Sequence, residues 1–594
     1  MPEYSAPLDD IRFALEGLVD LDGLTKLAPY TEVDADSVFG VLEEFGRLMA
    51  DVWAPTNQVG DEQTTRLEDG EVVVPDGFVA AYEAYAEAGW GAVPFDPAYG
   101  GGGFPWAVGI AMQEMLNSAN MALAMAPLLT QGAIDALLHH GSEEQREVYL
   151  KKMVSGEWTG SMNLTEPDAG SDVGALRTKA VRQDDGSYRI TGSKIFITWG
   201  EHPFTDNIVH LVLARTPDAP AGTKGISCFI VPKYLVGDDG TLGERNDVTV
   251  TSLEHKMGIR ASATCSLSFG DAGEGAVGFL IGEENAGMRY MFTMMNNARL
   301  GVGVEGLGLA ERSYQQAVAY AKERKQGFAP GAARGEKSFI VDHPDVRRML
   351  LTMRSTTEAM RALCYLVAEK IDVAKHAADE AVRAEAQEQV DLLIPLAKSW
   401  CTDEAERVTS IGIQVHGGMG FIEETGAAQH YRDAKITQIY EGTNGIQAMD
   451  LVGRKMPMRA GGVFTDQIAR MRSTVADIEG VAELADVHDE LARAIDVAES
   501  VGQQLMTEGL ADPVVALSVA SPFQRLLSLT VAGWLMARQA QLAAQRLAAG
   551  DGDADFLTQK LVTARFFARN VLPEVHGLAA PASSGKDDLL AATF

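Results

Sequence analysis

The chain has 594 residues, 46% of them apolar and 22% charged, the balance of an ordinary globular protein with several domains. Its net charge of −33 excludes nucleic acid and anionic membrane as broad partners, because both need a positive face. None of the four cysteines (Cys228, Cys265, Cys364, Cys401) sits at CxxC spacing, so neither a zinc site nor a redox pair is signalled and a reducing cytoplasm fits.

The N-terminus, MPEYSAPLDD, has neither the basic nor the apolar part of an export signal. Helical patterning follows to about residue 159, as in VFGVLEEFGRLMADVW (Val38–Trp53). Within it AYGGGGFP reads as a glycine-rich turn. Gly141 ends one predicted helix, and Ser142 with Gln145 can cap the next. Residues 160–285 change texture. YRITGSKIFIT, NIVHLVLAR, GISCFIVPK and DVTVTSL are short, β-branched runs between turns, which predicts a small β barrel or sandwich.

From 286 to 455 the helical period returns. Val346, Met349, Leu350 and Met353 form one apolar stripe, and Pro395 predicts a kink. RKMPMRAGGVF reads as a linker into a helical C-terminal extension, 456–594. There LLSLTVAGWLMA (Leu526–Ala537) is twelve residues long between Arg525 and Arg538. A bilayer span needs about 20 apolar residues, so this is expected to be a buried helix. The expected fold is α+β and multidomain: 1–159 helical, 160–285 β, 286–455 a helical bundle, 456–594 a helical extension.

Several short motifs carry chemistry, each with a plainer reading beside it. GVGVEG (Gly301–Gly306) matches GxGxxG, but a Met-rich helical segment precedes it instead of a strand. Small residues allowing two helices to approach explain it better. LTEPDAGSD (Leu164–Asp172) is a polar turn or a loop that can hold an anion or a ring edge. In KIFITWG (Lys194–Gly200) Phe196 and Thr198 share one face of a strand, suited either to a planar cofactor or to a core edge. QVHGGMGF (Gln414–Phe421) permits close backbone approach at Gly417 and Gly418, and His416 reads as structural. YRDAKI (Tyr431–Ile436) reads as a helix-end ion pair of Arg432 with its own neighbours. QIYEGTNGIQ (Gln438–Gln447) sets one acid, Glu441, between an aromatic ring and a glycine, with no cation within five positions downstream. It is either a solvated loop acid or a general base in an apolar cleft.

In order, YGGGG, GSEEQ, LTEPDAGSD, GSKIFIT, HKMGIRASAT, NNAR, HGGMGF and RDAKI.QIYEGT span about residues 80–455, and this order resembles the acyl-CoA dehydrogenase family. The C-terminal extension resembles the larger bacterial subgroup, which includes 3-(methylthio)propionyl-CoA and fatty acyl-CoA dehydrogenases. The resemblance implies FAD and oxidation at Cα and Cβ of an acyl-CoA thioester. Glu441 would remove the α-proton while hydride passes from Cβ to flavin N5, giving a trans-2-enoyl-CoA. Electrons would pass to electron-transferring flavoprotein. Desolvation raises a carboxylate's proton affinity, and a positioned base is worth roughly 10²–10⁴-fold.

By motif, the resemblance puts Met162, Leu164, Thr165, Ser171, Phe196 and Thr198 against the flavin, Thr198 at N5. Gln414, Gly417, Gly418 and Thr443 would meet FAD as well, and so would Arg324, from a neighbouring subunit. Ser171, Asn296, Arg299, Tyr440 and Gly442 would meet the substrate, Arg299 at the CoA moiety. Ala298 stands where some relatives carry an alternative base, which leaves Glu441. RKQGFAPG (Arg324–Gly331) is longer than the family's usual pattern, and Trp199 would narrow the mouth of the site. Met and Ala in NSANMALAMAPLLTQGA (Asn117–Ala133) suggest a deep pocket for medium or long acyl chains. The alternatives are 3-(methylthio)propionyl-CoA as substrate, an acyl-CoA oxidase, or a catalytically silent acyl-CoA-binding flavoprotein. No metal is expected, and a homodimer is favoured over a tetramer.

Overall fold

The structure is a computed structural model that describes residues 4–594 except 238, 333 and 334. The main helices, in chain order, are α1 (Leu8–Gly17), α2 (Ala35–Leu48), α3 (Ala54–Gln63), α4 (Phe78–Glu87), α5 (Trp106–His140), α6 (Gly287–Glu323) and α7 (Pro344–His376). They continue with α8 (Glu380–His416), α9 (Ala427–Thr437), α10 (Asn444–Asp450), α11 (Gly462–Asp477), α12 (Ala485–Ala511), α13 (Ala520–Ala549) and α14 (Ala554–Asn570). Between α5 and α6 the strands of the main sheet are β1 (Trp158–Asn163), β2 (Lys179–Arg182), β3 (Tyr188–Thr198), β4 (Asn207–Ala214), β5 (Ser227–Pro232), β6 (Val248–Leu253), β7 (Thr264–Phe269) and β8 (Ala276–Leu280), and Tyr234–Val236 pairs with Leu242–Arg245 as a separate ribbon. Helices, a β domain, more helices and a helical extension therefore follow one another as the composition predicts.

The chain forms two compact units. Residues 44–104 and 119–301 make one, and residues up to 43, 105–118 and 302–594 make the other. The first is built on the eight-stranded sheet, ordered β6-β7-β3-β8-β5-β4-β1 with β2 also on β3. All pairs are antiparallel except β1 with β4. Strands β4 and β5 are buried along their whole length, which is why they read as continuous apolar runs. Ser142 and Gln145 form the expected capping box, each side chain meeting the other's backbone N–H at 3.1 and 3.0 Å.

Helix α5 is not helical at Asn120, whose φ is −159°. The Asn120 side chain compensates by donating to Thr56 Oγ1 at 2.8 Å and accepting from Leu123 N at 3.2 Å. By length and composition α5 could cross a membrane, yet 89% of its most apolar window is buried inside the protein. It is a core helix.

The other unit is helical. Gly303 and Gly306 on α6 lie against α8: an added Cβ would come within 3.1 Å of the Ala397 carbonyl and 2.7 Å of the Cys401 carbonyl. The glycines of GVGVEG thus serve helix packing. Helix α8 runs on through Pro395, whose carbonyl accepts from Ser399 Oγ at 2.6 Å and Gln524 Nε2 at 3.1 Å. Arg361, fully buried, bridges Glu114 at 2.6 Å and Glu311 at 2.8 Å. Leu526, Leu527 and Leu529 of α13 are fully buried, so the twelve-residue run is core. The segment read as a linker is compact: Met456 is buried, and Arg459 and Ala460 turn the chain with φ of 47° and 55°.

Candidate active site

The candidate residues fall in both units and are described unit by unit. In the sheet unit, the loop after β1 is fixed by a buried ion pair. Glu166 accepts from Lys194 Nζ at 2.8 Å, from Arg177 N at 2.6 Å, and from Thr178 N and Oγ1 at 3.1 and 2.6 Å. Burial works against ionisation of Glu166, but Lys194 and these donors hold its pKa below the usual range. Burial pulls Lys194 down to about 8 against the pull of Glu166. Lys194 also donates to the Leu164 carbonyl at 2.9 Å, and the Thr165 carbonyl accepts from Ile195 N at 2.9 Å. This clamp brings the end of β1 and the end of β3 together.

Met162 and Thr165 are therefore half-buried beside buried Leu164, while Ser171 is exposed further along the loop. On β3 the simple alternation fails. The register with β7 shifts between Cys265 and Leu267, Phe196 adopts φ +59°, and its ring is 58% exposed. Lys194 and Ile197 are buried, while Ile195 between them is half-buried. Thr198 is half-buried opposite Thr264. Trp199 does not narrow a mouth. It is 1% exposed, donates to the Ala122 carbonyl at 3.0 Å and packs on Phe204 with ring centroids 4.8 Å apart. On α6, Arg299 is buried and reaches Asn296 Oδ1 at 3.4 Å, with Asn296 exposed. Residues 117–133 are buried throughout.

In the helical unit, the segment 438–447 is held from several sides. Glu441 and Gly442 have φ of +56° and +82°, two successive left-handed residues. For a glutamate that conformation costs about 1–2 kcal/mol, strain that persists only where neighbours impose it. Here they do. Asn444 N bonds the Gln438 carbonyl at 3.0 Å, and Gln447 Nε2 reaches the carbonyls of Glu441 and Gly442 at 3.4 and 3.3 Å. The Asn444 side chain accepts from Lys398 Nζ at 2.8 Å and donates to Asp403 Oδ1 at 2.7 Å. Thr443 Oγ1 caps α10 by accepting from Ile446 N at 3.1 Å.

Tyr440 Oη donates to Glu305 Oε2. Glu305 is fully buried, and burial, with the charge of Glu441 adding to it, pushes its carboxyl up to about 8. Glu441 is therefore alone in sequence but has a second acid near it in space. Sequence reasoning passed over Glu305, Lys398, Gln447 and the Glu166–Lys194 pair. The available signal was a charged residue inside an apolar or small-residue run, as in GVGVEG and PLAKSW.

The remaining candidates lie at one end of this unit. The His416 ring stacks on Tyr320 at 4.5 Å and bonds the Gly412 carbonyl at 2.7 Å, a structural role. Exposed Arg324 follows one turn after Tyr320, its N–H bonded to that residue's carbonyl at 2.9 Å. Gln414, Gly417 and Gly418 are exposed at the end of α8, and a Cβ at either glycine would meet nothing within 4 Å. Arg432 pairs with Glu423 at 2.7 Å, and Lys435 pairs with Glu406 at 3.1 Å and donates to Gln438 Oε1 at 2.8 Å.

Four family profiles match in succession: acyl-CoA dehydrogenase N-terminal domain over 47–157, middle domain over 161–272, C-terminal domain over 285–456, and acetyl-CoA dehydrogenase C-terminal like over 467–593. The chain is 46% identical to 3-methylmercaptopropionyl-CoA dehydrogenase of Ruegeria pomeroyi over 593 residues, all of both chains. It is 39% identical to a butyryl-CoA dehydrogenase of Syntrophomonas wolfei, over 97% of this chain and 96% of that one. An acyl-CoA dehydrogenase of Bacillus anthracis solved with FAD shares the fold, with TM-score 0.74 at 21% identity over 93% of this chain and 88% of that one. The chain belongs to the acyl-CoA dehydrogenase family, with the additional helical C-terminal domain.

Proposed function

We propose that the protein is an FAD-dependent dehydrogenase of a short acyl-CoA thioester, with Glu441 as the general base. The observation that carries this is the Glu441 segment: an acid in a strained left-handed turn, fixed by Gln447, Asn444 and Tyr440. A strained acidic residue so thoroughly tied down suits a positioned base better than a solvated loop.

The residues present fit FAD. The open backbone at Gly417 and Gly418 accepts a phosphate closely, and Arg324 and Gln414 lie at the same end. The exposed Phe196 ring and the half-buried hydroxyls of Thr165 and Thr198 suit a planar ring with polar edges, with Met162, Leu164 and Ser171 on the adjoining loop. FAD held by these residues would supply the acceptor for the β-hydride, so that the product would be the trans-2-enoyl-CoA. Glu441 takes the α-proton on its carboxylate. Tyr440 and Gly442 flank it, Thr443 starts the helix that fixes it, and Asn296 and Arg299 serve the CoA moiety.

Two full-length relatives are named for 3-methylmercaptopropionyl-CoA and butyryl-CoA and another for broad specificity over linear acyl chains; the two at higher identity support a short acyl chain over the medium or long chain expected from Asn117–Ala133. A methylthiopropionyl group matches a straight five-atom chain in length, and its thioether suits a methionine-rich wall. We assign electron-transferring flavoprotein as acceptor, a cytoplasmic homodimer as the working form, and domains at 1–159, 160–285, 286–455 and 456–594. Comparing kcat/KM for methylthiopropionyl-, butyryl-, octanoyl- and palmitoyl-CoA tests the substrate. The first should lead, and a lead by octanoyl- or palmitoyl-CoA would refute the short-chain reading.

A further inference from the structure

Glu305 stands on α6 between Val304 and Gly306, with its side chain fully buried. Its Oε2 accepts the Tyr440 hydroxyl, and its Oε1 is buried without a hydrogen-bond partner. A buried carboxylate with one oxygen unfilled is costly, and the neutral acid is far less so. The charged and titratable groups that face Glu305 are Tyr440, Glu441 and Lys398. Tyr440 also faces Asp433. Lys398 directs an N–H to Asn444 Oδ1 at 2.8 Å.

We propose that Glu305 is a positioning residue for the base: it stays protonated while Glu441 is charged, holds Tyr440 by its hydroxyl, and leaves Glu441 as the carboxylate of the pair. The inference rests on Glu441 being the base.

Two acids this close do not ionise independently. The Glu441 charge favours the neutral form of Glu305, and a charge on Glu305 would in turn raise the proton affinity of Glu441. Burial and that neighbouring charge place the Glu305 transition at about 8. Below it, with Glu441 ionised, the pair carries one negative charge. Above it Glu305 ionises, and Glu441 becomes the stronger base. The left-handed backbone at Glu441 follows directly on Tyr440, so anchoring the ring also orients the base.

The test uses the flavin-loaded enzyme over pH 6–10, in wild type and Glu305→Gln. The amide keeps an acceptor for Tyr440 but cannot ionise. The rate of flavin reduction by acyl-CoA should rise through an inflection near pH 8 in wild type and lack it in Glu305→Gln. Infrared difference spectra should show a carboxylic-acid C=O band lost over the same range in wild type and absent in the variant. Superimposable profiles and spectra would overturn the proposal. If Glu305→Gln fails to fold, Tyr440→Phe decides: it removes a donor that stabilises the Glu305 carboxylate, so the infrared transition should move to higher pH, and an unmoved transition would overturn it. Glu441→Gln, run in parallel, separates the two claims. If it still reduces flavin, the base reading itself fails. If it is dead while Glu305→Gln keeps the inflection, only the role of Glu305 fails.

Discussion

Glu166 and Glu305 are the same residue type, 6% and 0% exposed, and they do opposite things. Glu166 receives an ammonium, two backbone N–H groups and a hydroxyl, which hold it ionised against burial. Glu305 receives one hydroxyl, leaves an oxygen unpartnered and faces another acid, so burial prevails and the proton stays. Burial alone therefore does not decide the state of a carboxyl; the supply of donors does. A saturated acid builds a loop. An unsaturated acid beside a second acid is the arrangement on which the proposed chemistry rests.

The strongest way to test that contrast is at Glu441. Glu441→Gln should lower kcat by about 10²–10⁴-fold while acyl-CoA still binds, read by stopped-flow flavin reduction and by binding titration. On the saturated side, Lys194→Met leaves Glu166 buried and unpaired. It should cost about 3–5 kcal/mol, read by denaturant unfolding, and adding Glu166→Gln should recover part of the loss. A loss below about 1 kcal/mol would show that the pair is dispensable.

At Glu305 the sign follows from linkage. Its folded pKa, about 8, lies above the ordinary glutamate value of 4.5, so between those values the folded state holds a proton that the unfolded state has released. Stability therefore falls as pH rises across that window, by at most about 1.4 kcal/mol per pH unit. Glu305→Gln should flatten that part of the curve, measured by denaturation at several pH values. The smallest effect is expected away from both carboxylates. Gly418→Asp meets no atoms but would set a negative charge beside a phosphate, weakening FAD retention by about tenfold with the melting temperature of the apoprotein unchanged.

Much of this was legible in the sequence. Alternation between helical and β texture gave the order of domains, and local rules gave the capping box at Ser142 and the buried run at Leu526–Ala537. The motif order gave the family. What was not legible depends on partners far apart in the chain. Tyr440 and Glu305 are 135 residues apart, and Lys194 and Glu166 are 28 apart. Period analysis assigns a residue to a face without saying what covers that face. The glycines of GVGVEG read as packing residues, which they are, but that reading says nothing of the acid among them. The bulge in β3 is invisible to alternation, which assumes an unbroken ladder, and the burial of Trp199 depends on Ala122 and Phe204, far from it in the chain or outside its strand.

The central claim is that Glu441 starts the reaction by taking a proton from a short acyl-CoA. Anaerobic titration of the flavin-loaded protein with 3-(methylthio)propionyl-CoA, wild type beside Glu441→Gln, tests it most directly. The account predicts that the yellow flavin band bleaches in wild type and persists in the variant, although both bind the thioester. Bleaching in both proteins, or binding without bleaching in either, would contradict it.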